Sequence, residues 1–141
     1  FPGSEPVTSA CSSTGTAIMG GRYLKVKWSG DMPGMGPYNG MGIYGYDNVT
    51  EKFVSIAIDD HSTGIMHGEG QLSDDGKTIT WSTTYNCPIN KKPSVMREVE
   101  SLTGGDSKVI EMFGSEPKSG EEFKMMHITL TRKTQPHVEE E

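Results

Sequence analysis

Residues 40–58 read GMGIYGYDNVTEKFVSIAI. In the second half of this stretch, Lys52–Ile58, β-branched side chains occupy every second position, which is the two-residue period of a β-strand. Gly40–Tyr46 is rich in glycine and aromatic residues, and the five residues from Asp47 to Glu51 have the composition of a turn. The stretch therefore predicts two antiparallel strands joined by a short turn.

The same alternation of short strands and turns continues in both directions, without a convincing helical window. Segments 29–39 and 85–94 are predicted to be loops. About nine strands in hairpin order predict an all-β, antiparallel up-and-down meander, and protection of its edges favours closure into a β-barrel of about nine to ten strands. The predicted strands are Val7–Met19, Arg22–Trp28, Gly40–Tyr46, Lys52–Ile58, Ile65–Leu72, Lys77–Thr84, Val95–Leu102, Lys108–Phe113 and Phe123–Lys133.

Domain organisation follows from the same pattern. We expect a flexible N-terminal lead-in over residues 1–6, a single β-barrel domain over 7–133 and an acidic disordered tail over 134–141. The chain starts at Phe1 and has no signal peptide, so we expect a soluble, secreted or periplasmic protein whose signal has been removed, or a chain that begins inside a longer one.

Composition excludes several classes of protein. Only 3 Ala and 4 Leu occur in 141 residues, which argues against a mainly helical protein. The net charge is −6 and no basic patch is present, so nucleic acid is not an expected partner. No apolar stretch is long enough for a membrane span. The 9 methionines are unusual and must supply interior bulk that leucine does not.

Five segments together resemble the bacterial protein family DUF1579 over about residues 14–133. This resemblance implies a lipocalin-like, calycin-type barrel and no established activity. Members of the family usually carry an upstream short helix and a strand with Gly-x-Trp, which we do not find here, so either the chain is truncated at its start or a further piece completes the barrel. The segments are Gly20–Leu24 (GGRYL), Asn39–Asp59 (NGMGIYGYDNVTEKFVSIAID), Thr63–Leu72 (TGIMHGEGQL), Met96–Val99 (MREV) and Phe123–Lys133 (FKMMHITLTRK).

The barrel interior is the first candidate site, because alternation turns one row of side chains inward on each strand. Such an interior is either filled by its own side chains or open to one small ligand, and methionine suits both. Arg97 could pair with Glu69 or Glu111 and orient a polar head group, or the ion pair could be purely structural. The candidate ligand-binding residues are Tyr44, Tyr46, Trp81, Met96, Arg97, Met112, Met125 and His127.

Other chemistry is less well supported by the sequence. We predict no metal site; His61 and His67 are weak candidates whose spacing matches no metal motif. The two cysteines, Cys11 and Cys87, could form one disulfide or remain free thiols. No nucleophile–base motif is present, so we expect neither an enzyme nor a cofactor.

Two functions remain open. The first is a lipocalin-like barrel that binds a small apolar or amphipathic ligand in its interior. The second is a non-catalytic accessory or structural subunit of a larger assembly, which contacts a protein partner or a second copy through a barrel edge and loops. An open, ligand-accessible interior favours the first function, and association through a strand edge favours the second.

Overall fold

A computed structural model describes residues 3–133 as one antiparallel β-sheet without helices. Consecutive strands are neighbours throughout, so the sheet order is the chain order. The predicted all-β class and antiparallel meander are confirmed. The strands are β1 (Cys11–Ile18), β2 (Tyr23–Met32), β3 (Gly36–Asp47), β4 (Lys52–Asp59), β5 (Met66–Leu72), β6 (Thr78–Cys87), β7 (Lys92–Leu102), β8 (Ser107–Ser115) and β9 (Glu122–Thr131).

The two predicted loops are in fact long hairpins. In segment 29–39, β2 continues to Met32 and β3 already begins at Gly36, so that only three residues form the turn. Gly34 and Gly36 have φ angles of 78° and 83°, which glycine adopts without steric cost. In segment 85–94 the turn is again short, and Lys91 takes the left-handed conformation at φ 56°. Backbone hydrogen bonding to the neighbouring strand therefore extends these strands through residues of low strand propensity.

The sheet curls into a half-barrel, and strand β6 shows in which direction. Its side chains alternate: Trp81, Thr83 and Cys87 are buried and Tyr85 is half-buried, whereas Ser82, Thr84 and Asn86 are exposed. We call the face that carries Trp81 the inner face and the opposite one the outer face. Directly paired residues on neighbouring strands project to the same side of the sheet. The pairing register therefore identifies which residues of the other strands lie on the inner face.

The half-barrel leaves its core incompletely covered. No side chain among the described residues is fully buried, and Trp81, with 4% of its surface exposed, is one of only two buried apolar residues. Strands β1 and β9 are the two edges of the described sheet and do not pair with each other. The expected barrel is thus realised as a half-barrel rather than as a closed ring.

The ends of the chain differ from the expected boundaries. Residues 4–10 have no regular structure, so β1 begins at Cys11 rather than at Val7. The acidic tail predicted for 134–141 lies outside the described residues. The described part of the chain contains no helix that is long and apolar enough to cross a membrane.

Candidate functional site

Aromatic side chains from three strands meet on the inner face. The indole of Trp81 lies across β5, where its pairing partner is Gly70: a Cβ at that glycine would be 2.8 Å from Cε3 of Trp81. The space left by glycine lets the indole reach Tyr44 of β3 and Phe53 of β4, with ring centroids 5.5 and 6.4 Å away. Both contacts are edge-to-face, a favourable geometry for aromatic pairs. We call Tyr44, Phe53 and Trp81 the aromatic cluster.

Methionines continue the inner face beyond the aromatic cluster. Met96 of β7 pairs with Thr83, and Met112 of β8 pairs with Met126 of β9. All three methionines are half-buried. The inner face is therefore rigid and aromatic over β3–β6 and flexible and thioether-rich over β7–β9, a combination that can adapt to an irregular apolar surface.

A carboxyl group interrupts this apolar face. Glu98 of β7 is the pairing partner of Trp81 and projects to the same side. Burial, reinforced by the negative charge of Glu100, raises the pKa of Glu98 to about 7, against a smaller opposing effect of Lys108. Lys108 donates to Oε1 of Glu100 at 2.7 Å, so its ion pair is with Glu100. Near neutral pH, Glu98 is therefore a carboxyl that both accepts and donates hydrogen bonds.

Trp81 carries a polar atom without a partner. Its Nε1 is buried and forms no hydrogen bond within the described structure. Leaving such a donor unsatisfied costs about 1–3 kcal/mol, so buried donors of this kind are rare. The other indole of the inner face differs, because the Trp28 nitrogen is not among the buried donors without a partner in the described structure. The residue that carries this unpaired donor, Trp81, is the pairing partner of Glu98.

Tyr44 adds a hydroxyl to this group. Burial, followed by the charges of Glu98 and Glu100, raises the pKa of Tyr44 well above its usual value. The phenol therefore stays protonated and neutral over the whole physiological range. We call Trp81 Nε1, the Glu98 carboxyl and the Tyr44 hydroxyl the polar trio.

Six of the eight predicted ligand-binding residues lie on the inner face. Tyr44, Tyr46, Trp81, Met96 and Met112 are placed there by the pairing register. Met125 reaches the inner face through an irregularity: the register of β8 and β9 shifts between Met112 and Phe113, and the Met125 sulfur lies over Gly114. Whether these residues bind a ligand stays a prediction.

The interior placement of Arg97 and His127 is wrong. Adjacent strand residues face opposite sides, so Arg97 must project outward once Met96 projects inward. Its guanidinium stacks 4.1 Å above the Phe113 ring and donates to Oε1 of Glu122 at 2.7 Å. His127 likewise pairs with Glu111 on the outer face.

The expected ion pairs of Arg97 are not formed either. Glu69 instead accepts from Lys52 at 3.0 Å, and Glu111 is paired with Lys124 and lies 3.7 Å from Nδ1 of His127. Arg97 and Glu98 are sequence neighbours and must face opposite sides, and of the two Glu98 is the inward one, although it is not among the candidate ligand-binding residues. The sequence already indicated this orientation, because Glu98 is two residues from Met96 and therefore points to the same side of the strand.

The outer face carries a separate polar groove of about 530 Å³. The ion pairs Lys52–Glu69 and Arg97–Glu122 lie along it. Both pairs are exposed to solvent, which limits their contribution to stability and their demand for a further ligand. The groove is therefore a weaker candidate than the inner face.

The remaining candidates are not brought together. His61, in the β4–β5 loop, contacts the carbonyl of Pro37 through Nε2 at 2.8 Å, whereas His67 lies on the outer face of β5. Within residues 3–133, no group of three or more His, Cys, Asp or Glu could hold a metal ion. Cys11 is exposed on β1 and Cys87 is buried on β6, and both are free, so the disulfide is not formed.

Comparison with known sequences identifies the family. The sequence model of the family described as "Protein of unknown function (DUF1579)" matches residues 1–132, nearly the whole chain. The chain belongs to this family, in agreement with the resemblance of its strand motifs. No curated protein and no solved structure matches the chain.

Proposed function

We propose that this protein is a non-catalytic binding protein that holds a small apolar or amphipathic molecule against the inner face of its half-barrel. The single observation that carries the proposal is the inner face itself, where aromatic and methionine side chains line a curled sheet without any fully buried side chain among the described residues. Apolar surface that the chain's own packing leaves accessible is the usual lining of a ligand site.

The chemistry around Glu98 supports binding rather than catalysis. Its pKa of about 7 would suit a general acid or base, but the groups that influence it are Glu100 and Lys108. Neither Glu100 nor Lys108 is a nucleophile activated by a neighbouring base, which covalent catalysis would require. A carboxyl in this setting can still orient a bound molecule by hydrogen bonding.

A fluorescence titration tests the proposal. The probe is N-phenyl-1-naphthylamine, an uncharged molecule whose emission rises in apolar surroundings, and we expect saturable binding to the purified protein. Replacement of Met112 by Glu places a charge on the inner face, and we expect at least tenfold weaker binding from the cost of desolvating it. The matched variant Val109→Glu, on the outer face of the same strand, should bind like the wild type.

The proposal fails if the wild type shows no saturable binding, or if the two variants weaken binding equally. Circular dichroism of both variants establishes that the sheet has formed. Native mass spectrometry of the freshly purified protein gives an independent result, since a retained small molecule of defined mass supports the proposal.

A second function, that of an accessory subunit in a larger assembly, is favoured by strand β1. This edge strand is exposed over nearly its whole length, and its sequence, CSSTGTAI, contains neither a charged residue nor proline. Edges of soluble sheets usually carry such residues to prevent pairing with another chain.

A further inference from the structure

We infer that the molecule held on the inner face carries a neutral polar group that accepts a hydrogen bond from Trp81 Nε1 and donates one to Glu98, as a carboxamide does. This inference rests on the proposed function and specifies its ligand class. It is carried by the unpaired indole nitrogen of Trp81 and by the carboxyl of Glu98, the residue paired with Trp81 across β6 and β7.

The indole nitrogen requires an acceptor. An indole N–H only donates, and that of Trp81 is buried without any partner in the described structure. Trp28 provides the contrast on the same face, since its nitrogen is not a buried donor without a partner in the described structure. A ligand that is a pure hydrocarbon would leave the Trp81 donor unsatisfied, and so would an alkylammonium ion, which has no acceptor.

The carboxyl selects against negative charge. The charged groups that face Glu98 are Glu100 on its own strand and Lys108 on β8, and the Tyr44 hydroxyl lies on the β3 side. Lys108 is already paired with Glu100 at 2.7 Å. A ligand carboxylate would therefore meet uncompensated negative charge at low dielectric, which is unfavourable. A neutral group avoids this repulsion.

One small polar group can satisfy both partners. Trp81 and Glu98 are directly paired across β6 and β7, and residues paired in this way have Cβ atoms about 5 Å apart. A carboxamide offers its carbonyl oxygen to the indole and its N–H to the carboxyl. The apolar part of the ligand would then lie against the aromatic cluster or the methionines.

Isothermal titration calorimetry with four naphthalene probes tests the inference. The probes share one ring system and differ in the attached group: 1-naphthylacetamide, 1-naphthylacetate, 1-naphthylmethylamine and 1-ethylnaphthalene. We expect the amide to bind the wild type about fivefold more tightly than each of the other three, as one or two neutral hydrogen bonds in a buried site would give.

Two variants test whether the preference for the amide arises from Trp81 and from Glu98. In Trp81→Phe, the advantage of the amide over ethylnaphthalene should fall several-fold, whereas the matched variant Trp28→Phe should keep it. In Glu98→Gln, the disadvantage of the acetate relative to the amide should shrink, because the negative charge is gone. The ratio of the dissociation constants of two probes, measured on the same variant, cancels any general loss of packing in that variant.

The outcomes separate this inference from the proposed function. If ethylnaphthalene binds the wild type as tightly as the amide, or if the acetate binds best, the inference is wrong and the proposed function stands. If the Trp28 variant loses the amide preference and the Trp81 variant keeps it, the inference is also wrong. If none of the four probes binds, the proposed function itself fails.

Discussion

Glu98 is the residue whose chemistry depends most on the fold. In the unfolded chain it is an ordinary carboxyl, whereas burial on the inner face and the neighbouring Glu100 raise its pKa to about 7. The folded protein therefore binds more protons than the unfolded chain between the ordinary value of 4.5 and about 7. A group of this kind contributes stability at low pH that is lost as the pH rises.

We predict that the free energy of unfolding falls between pH 5 and pH 8 by about 2–3 kcal/mol because of Glu98. Urea denaturation at several pH values in this range measures the effect. In Glu98→Gln this contribution disappears, and the difference between the two proteins cancels the titration of the histidines, which both contain. A difference that does not change with pH would contradict the prediction.

The sequence predicted some residues of the site and not others, for a reason visible in β7. Hydrophobic alternation identified Met96 as inward, and the same rule applied strictly would have selected Glu98 and rejected Arg97. The position of His127 was harder to predict, because the bulge at Met112 and Phe113 interrupts the inward–outward alternation of β9, so that Met125 and His127 do not face the same side. No local sequence pattern indicates that bulge.

At the scale of elements, β5 is shaped by the strand beside it. Gly68 and Gly70 occupy inner positions of β5: the Trp81 ring of β6 fills the space that a side chain at Gly70 would take, and the Ser55 hydroxyl fills that at Gly68. Glycine normally weakens a strand. Here it permits the aromatic cluster to extend across several strands, so the loss of strand propensity is offset by ring packing.

We predict that Gly70→Ala destabilises the protein by about 1–3 kcal/mol, because the new methyl group would lie 2.8 Å from the Trp81 ring and force it to move. Chemical denaturation measures the loss. Gly105→Ala is the matched control: this glycine has no atom within 4 Å of an added Cβ, and its φ is not positive. Equal stability of Gly70→Ala and wild type would show that the indole does not depend on that space.

Strand identity was predictable and strand length was not. All nine predicted strands overlap strands of the structure, because their alternation is a local property of the sequence. The hairpin ends at Met32, Gly36 and Cys87 were missed, since Gly, Pro and Met there do not favour strands and are held by pairing with a neighbour. Such pairing is a tertiary effect.

At the scale of the whole molecule, the sequence led us to expect a closed barrel, and the described sheet is a half-barrel. Closure depends on the tilt and stagger that accumulate over all strand pairs, which no single segment encodes. The half-barrel leaves β1 and β9 as edges. It also leaves the inner face accessible, so the same feature underlies both the proposed binding function and the alternative of association with another chain.

We predict that the protein self-associates through β1. Its outward backbone groups are unpaired in the described sheet, and uncharged serine and threonine side chains do not hinder a second strand. Light scattering coupled to size exclusion should give a mass above 15.4 kDa that rises with concentration. A double variant with Thr14→Glu and Thr16→Glu should return the protein to the monomer, because glutamates facing each other across paired edges would repel, whereas within the sheet they lie opposite Lys27 and Lys25.

The matched control carries the same added charge on a central strand. Thr80→Glu with Ser82→Glu changes exposed outer-face residues of β6, whose edges are already paired, and should associate like the wild type. If both double variants dissociate equally, net charge rather than the β1 edge governs association. If the wild type is monomeric at every concentration, β1 does not pair with a second copy, and the inner face becomes the only one of the two proposed surfaces for which the structure still supports a function.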